Sequence, residues 1–360
     1  MLKPMPERLV LWFSVWILAV DAFQNGVMVP EARLLATTSK YESHTMLRVA
    51  YLPEVCIITK ERENKLDPKK DNETVIAPFE ASVTKIAMTT YIASMCLALP
   101  LTLFPTWTLY KTGLISKLQR EQLSLQTGQC CAAFLLQIMP FVNLTIISQE
   151  EQNNETLKPS IWCANHVSPL DTFLLLAADK DLRGKNRRQI KVIYWKGLDE
   201  NPITKMLFHM AGFIPVQMAD NGSGNPNEYD QASFKSMLKL TKQAFQDGFD
   251  ILVLPEGQLN PNPEIGLLPV FPGAFTLAQM SKRPIRLAGI HGSHRLWHAD
   301  DNIGMTVTGR DVTMRVYPPV KKFESATDFV ETFNAVLGHF GATGQDMPEE
   351  DLTKWLGGND

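Results

Sequence analysis

The sequence predicts an α/β fold: a mostly parallel sheet covered by helices, preceded by an N-terminal membrane-associated helical hairpin. Three observations carry this. From about Leu157 onward, short apolar runs alternate with amphipathic segments, the rhythm of a parallel sheet with helices on both faces. The run Ile251–Leu254 (ILVL) is apolar without interruption, as a strand buried on both faces is. Upstream, Ile86–Tyr110 holds no charged residue, and a helix of ~25 residues reaches across a bilayer core of about 30 Å.

Bulk composition narrows the function classes. The chain has 360 residues, 35 Lys+Arg against 38 Asp+Glu, and a formal net charge of -3. Nucleic-acid binders carry a basic face and a high pI, and this balance argues against one. A mean hydropathy of -0.09 argues against a many-span transporter. The five cysteines, an odd number with no C-x-x-C, argue against a disulfide framework or a four-thiolate zinc site.

In chain order, residues 1–22 read as a signal or signal-anchor segment. Lys3 and Arg8 precede the apolar run Leu9–Val20, and Val20 and Ala22 are small residues suited to cleavage after Ala22. The Ala22-Phe23 junction is similar to the bipartite plastid leaders of algae with secondary plastids. Residues 23–85 read as a polar leader and linker, partly disordered, ending in a mixed-charge stretch. Residues 86–150 read as the hairpin. Its first arm is Ile86–Tyr110, interrupted by Pro100 and Pro105. A basic loop with Lys111, Lys117 and Arg120 follows, and Cys130–Ile147 is the second arm. Residues 151–345 read as the catalytic domain. Strands are expected at Ser160–Ala164, Ile190–Trp195, Phe213–Val216, Ile251–Leu254, Ile285–Ile290 and within Met305–Val316. Helices are expected at Leu170–Ala178, Ile203–Ala211, Glu228–Gln246, Gly273–Met280 and Ala326–Phe340. Residues 346–360 are left as a C-terminal tail.

The informative stretch is Asn165-His166-Val167-Ser168-Pro169-Leu170-Asp171. It follows a strand and opens a helix, so its side chains lie at a strand's carboxyl end, where α/β proteins place ligands. Of the 7 histidines, only His166 has an aspartate five residues on. That spacing folds the carboxylate back onto the imidazole, and a histidine oriented by a carboxylate is a competent general base. Ser168 reads as a turn or N-cap hydroxyl and Cys163 as a buried thiol. A base without its own nucleophile activates a substrate hydroxyl directly.

These residues resemble the glycerophospholipid acyltransferase family, which includes the 1-acylglycerol-3-phosphate (PlsC-type) acyltransferases. NHVSPLD is similar to the family's N-H-x-S-x-x-D block. The resemblance continues in order through most of residues 155–320. Lys196 stands where the family has a lysine, and Gly212-Phe213-Ile214-Pro215-Val216 resembles its second block. Leu254-Pro255-Glu256-Gly257 resembles the third, and Arg283-Pro284-Ile285 the fourth.

The resemblance implies transfer of a fatty acyl group from an acyl-CoA or acyl-carrier-protein thioester to a lysophospholipid hydroxyl in a membrane, with no other cofactor, no metal and no nucleic-acid partner. The expected compartment is a membrane of the endoplasmic reticulum or the plastid envelope, the latter suggested by the Ala22-Phe23 junction. His166 and Asp171 become the catalytic pair. Asn165, Ser168, Lys196, Gly212, Pro255, Glu256 and Gly257 become substrate-binding residues. Glu256 and Gly257 end the ILVL strand, so they converge on the same sheet edge as His166. Backbone amides there or in the NHVS turn stabilise the oxyanion.

The departures concern the acceptor. Lysophosphatidate acylators of the family commonly carry an arginine after the second block and another after the third. Arginine suits phosphate because its fork donates two parallel hydrogen bonds. Here Gln217-Met218 and Gln258-Leu259 stand instead. Lys196 remains as a cation, and Lys205, Arg283 and Arg286 are the candidates to substitute. Lysophosphatidate stays narrowly ahead of acceptors with larger head groups and of glycerol 3-phosphate. Two readings of other classes stand beside this one: a zinc enzyme using His291, His294 and His298, and an inactive membrane-binding homologue.

Overall fold

The computed structural model describes residues 78–137, 142–147, 158–184, 187–217, 230–300, 311–318 and 320–357. The leader expected over residues 1–22 and nearly all of the linker at 23–85 lie outside them.

The apolar run at 86–110 forms most of helix α1 (Pro78–Lys111), which continues through Pro100 and Pro105. Within it, Ile92–Lys111 is long and apolar enough to cross a membrane by length and composition. Leu97, Leu101 and Phe104 share one face at helical spacing and are exposed, while Leu103 and Thr106 are buried on the other. That inner face packs on α2 (Lys117–Gln137), where Thr106 Oγ1 lies 3.2 Å from Ser124 Oγ.

The second arm differs from the expectation. Helix α2 begins inside the stretch read as a basic loop and buries Glu121, Ser124, Thr127 and Gln129 among its leucines and alanines. Two of those polar groups, Glu121 and Gln129, find partners in the domain. Lys191 Nζ lies 2.6 Å from Glu121, and Gln129 Nε2 donates to Asp179 at 3.0 Å. The helix is therefore packed on protein along that face. The end of the same apolar run, Asn143–Ile147, is not helical. It forms β1, the edge strand of the sheet, so the sheet starts before residue 150.

The remaining elements follow the sequence closely. They are β2 (Ile161–Ala164), α3 (Asp171–Ala177), α4 (Asp179–Arg183), β3 (Ile190–Trp195), a 3-10 turn at Lys196–Glu200, α5 (Pro202–Ala211), β4 (Ile214–Val216) and α6 (Gln231–Gln246). Then come β5 (Asp250–Val253), α7 (Gly273–Ser281), β6 (Ile285–His291), a 3-10 turn at Ser293–Arg295, β7 (Asp311–Val316), α8 (Ala326–Thr343) and α9 (Glu349–Leu356). Helix α9 lies in the stretch set aside as a tail. It buries Leu356, whose carbonyl accepts from Lys321 N, so the C-terminal segment is part of the packed domain.

The sheet order is β1-β7-β6-β2-β5-β3-β4. Strands β6, β2, β5, β3 and β4 run parallel, while β7 is antiparallel to β6 and β1 parallel to β7. The first six residues of β6, and all of β2 and β5 but Trp162 and Val253, are buried, as strands covered on both faces must be. The carboxyl ends of β2, β5 and β6, adjacent in the sheet, present three loops to one edge.

Candidate active site

Strand β2 ends at Ala164, and Asn165 extends its pairing with a side chain. Its Oδ1 accepts from Ile290 N and its Nδ2 donates to Ile290 O, each at 2.8 Å. The carboxamide thus continues a peptide ladder where the backbone turns away. His166 begins the turn. Its N–H donates to Glu256 Oε1 at 2.7 Å, and its carbonyl accepts from Asn260 N at 2.8 Å. The loop after β5 therefore grips the histidine backbone on both sides.

Asp171, the first residue of α3, reaches back as the spacing requires. Its Oδ2 accepts from Val167 N at 2.6 Å and Ser168 N at 2.8 Å, and lies 3.0 Å from His166 Nδ1. Its Oδ1 accepts from Ser293 Oγ at 2.6 Å. The aspartate side chain has no exposure, whereas the histidine side chain keeps 18 %. A carboxylate at Nδ1 holds the proton there and leaves Nε2 as the basic nitrogen on the open side.

The neighbouring nucleophiles are occupied. Ser168 is buried, donates to Trp297 O at 2.8 Å and accepts from Leu170 N. Cys163 is fully buried, and burial pushes its thiol far above the ordinary range. Neither presents a free group beside the imidazole. The turn's amides are also engaged. His166 N serves Glu256, and Val167 N and Ser168 N serve Asp171. Oxyanion stabilisation by the NHVS turn, one of two expectations, is thereby disfavoured.

Glu256 has a holding function. It is wholly buried, and its second oxygen accepts from Leu268 N at 3.0 Å. Burial pushes its carboxyl up, opposed by the two backbone N–H groups it holds. Gly257 turns the chain with φ +68, and Pro255 O accepts from Phe271 N, which fixes the loop's start. We expect Glu256→Gln to destabilise the protein by about 1–3 kcal/mol, because a carboxamide offers one acceptor oxygen to two buried donors. Denaturant unfolding checks this; an unchanged midpoint would contradict it.

The other expected residues lie farther off. Lys196 is exposed at the end of β3, two strands from β2, about 10 Å across the sheet. Gly212 stops α5 with φ +69, and a Cβ there would overlap the Glu121 carboxylate, so its visible role is to let α2 approach. Arg283 and Arg286 sit at the start of β6, whose length of about 20 Å separates them from the His166 edge. Arg283 stacks on Phe245, and burial lowers the Arg286 pKa. Neither is placed to replace the missing arginines.

The three histidines of the zinc reading hold separate partners. His291 Nδ1 lies 2.8 Å from Gly341 O, His298 Nε2 lies 2.8 Å from Pro261 O, and His294 Nε2 lies 2.8 Å from Glu264 Oε1. Among the described residues, no three His, Cys, Asp or Glu side chains gather into a metal-binding group. His294 is buried, and burial outweighs Glu264 in pushing its pKa from 6.5 down to about 4. The folded state therefore prefers the neutral ring. Its contribution to stability is full above about pH 6.5 and is lost as pH falls toward 4. Thermal melts across that window are expected to fall more steeply for the wild type than for His294→Leu; equal slopes would contradict this.

Sequence reasoning missed Ser293 and Asn260. Both touch the pair's support through contacts that no local spacing encodes.

The site is thus a carboxylate-held histidine at the carboxyl edge of a mostly parallel sheet. Residues 145–287 match the family model described as Acyltransferase. The fold is similar to the crystal structure of the 1-acyl-sn-glycerophosphate (LPA) acyltransferase, PlsC, from Thermotoga maritima. The TM-score is 0.51 at 14 % identity, over 72 % of this chain and 94 % of that one. No curated protein matches the sequence.

Proposed function

We propose that the protein is a membrane-bound O-acyltransferase. It moves a fatty acyl group from an acyl thioester to the free hydroxyl of a lysoglycerophospholipid, foremost 1-acylglycerol-3-phosphate to phosphatidic acid. The observation that carries the reading is the His166–Asp171 pair, held by the backbone and open at Nε2, inside an acyltransferase domain. The acceptor hydroxyl gives its proton to His166 Nε2 as its oxygen attacks the thioester carbonyl. The tetrahedral intermediate then collapses, the C–S bond breaks, and the leaving thiolate takes the proton back. Asp171 stabilises the imidazolium between these steps.

The oxyanion falls to the loop after β5. The Gln258 and Leu259 N–H groups there make no hydrogen bond among the described residues, and they lie between Glu256 and Asn260, the two residues that grip the His166 backbone. The acyl donor is acyl-CoA or acyl-carrier protein. Helix α1, with its exposed apolar face, supports seating in a membrane, for which the endoplasmic reticulum and the plastid envelope are the proposed sites. An intact base and orienter argue against an inactive homologue.

A second acceptor class is favoured by one observation. Gln258 and Leu259 occupy the loop where a phosphate-binding arginine is expected, and Arg283 and Arg286 lie at the far end of β6. That favours a lysophospholipid with a larger head group. The test offers lysophosphatidate, lysophosphatidylcholine and glycerol 3-phosphate with one acyl donor. Highest kcat/KM on lysophosphatidate supports the first reading, and on lysophosphatidylcholine the second. A clear preference for glycerol 3-phosphate overturns both.

A further inference from the structure

Asp171 orients the base, and its own orientation needs a cause. Three donors, Val167 N, Ser168 N and His166 Nδ1, converge on Oδ2. All three come from one turn, on one side of the carboxylate. They restrain Oδ2 from that side, and the other oxygen is held separately. There the contact is Ser293 Oγ at 2.6 Å. Ser293 and Asp171 are both buried without exposure, so bulk water does not reach the bond.

The serine is itself rigidly placed. It follows β6 through Gly292, at φ +84, where a Cβ would collide with Asp311 O of the neighbouring strand. Its carbonyl accepts from Leu296 N and Trp297 N, and Trp297 O in turn accepts from Ser168 Oγ. One short turn thus holds both the Asp171 carboxylate and the Ser168 hydroxyl, 122 and 129 residues away in sequence.

Building on the acyl-transfer reading above, we propose that Ser293 is a positioning residue for the reaction. Its hydroxyl locks the Asp171 carboxylate in the rotation that presents Oδ2 to His166 Nδ1, and so aims Nε2 at the acceptor hydroxyl. Without it, Oδ1 is a buried acceptor with no donor, and the carboxylate turns or draws its neighbours out of line. Misplacements of about 1 Å in a catalytic group cost up to ~100-fold in rate.

The experiment compares Ser293→Thr with Ser293→Val, a pair alike in shape and different in the hydroxyl, together with Ser293→Ala. Each is also made on an Asp171→Asn background. The expected result is near-wild-type turnover for Thr. For Val and Ala, in protein that circular dichroism shows to be folded, kcat falls about 10-fold or more with KM within about 2-fold. On Asp171→Asn, the Val and Ala changes have little further effect, because the serine acts through the carboxylate. Equal kcat for Thr and Val, or losses that multiply on the Asp171→Asn background, overturn the proposal. His166→Ala, assayed alongside, separates the two claims. If it stays active, the acyl-transfer reading fails. If it is inactive while Ser293→Val and Ser293→Ala are unimpaired, only the role of Ser293 fails.

Discussion

Replacing His166 with alanine is expected to lower acyl transfer by roughly 10²–10⁴-fold without unfolding the protein. The rate argument follows from the geometry. Nε2 is the one basic atom held by the Asp171 network and left open, and Ser168 and Cys163 are both occupied or buried. Each tenfold loss corresponds to about 1.4 kcal/mol of barrier, so the loss amounts to about 3–5 kcal/mol. The stability argument follows from exposure. The imidazole is partly exposed, and the backbone of residue 166 stays tied to Glu256 and Asn260 whatever its side chain. Circular dichroism and a melting curve check the fold, and kcat/KM checks the chemistry. Retention of most of the activity would contradict the assignment of the base.

The largest stability effect is expected from Arg183→Leu. This guanidinium sits at the opposite end of the sheet from His166. Nε donates to Asp179 Oδ1 and Nη1 to Asp250 Oδ2, each at 2.6 Å, and Nη2 donates to Arg188 O at 2.7 Å. It also lies 5.1 Å over the Trp162 ring. Asp179 keeps Arg187 and Gln129 as partners, whereas among the described residues Asp250 keeps as hydrogen-bond donors only Ser160 N and the Trp162 indole, with Arg286 as a more distant charge. Burial already pushes the Asp250 carboxyl up despite the arginine, so removing the cation leaves a buried charge poorly compensated. Losing one partner of such a network costs about 3–5 kcal/mol. At about 2–4 °C per kcal/mol, the melting temperature falls by roughly 10 °C. Denaturant unfolding measures it, and a loss below about 1 kcal/mol would contradict the account.

The sequence made the sheet legible because its strands are continuous apolar runs: IKVIYW and ILVL fall within a residue of β3 and β5. It also made the His166–Asp171 contact legible, since a five-residue spacing across a turn is a local fact. Glu256 was legible as a neighbour of His166 through the order of blocks, though not as the acceptor of its backbone N–H. Three things were not legible. Asn143–Ile147 reads like the end of an apolar helix, and only β7, 168 residues away, makes it a strand. The buried polar face of α2 depends on Lys191 and Asp179, 70 and 50 residues off. Ser293 acquires meaning only where β6 ends beside β2. Hydropathy windows read composition, and these contacts are set by topology.

The central claim is that acyl transfer is direct, with a base and no enzyme nucleophile. The measurement that tests it is intact-mass spectrometry of the purified full-length protein, quenched after mixing with acyl thioester alone and with thioester plus lysophosphatidate. The account expects no mass increase in either case. Free thiol should appear only with the acceptor, in equal amount to the diacyl product. A protein adduct of one acyl group, or a burst of thiol without acceptor, would contradict it.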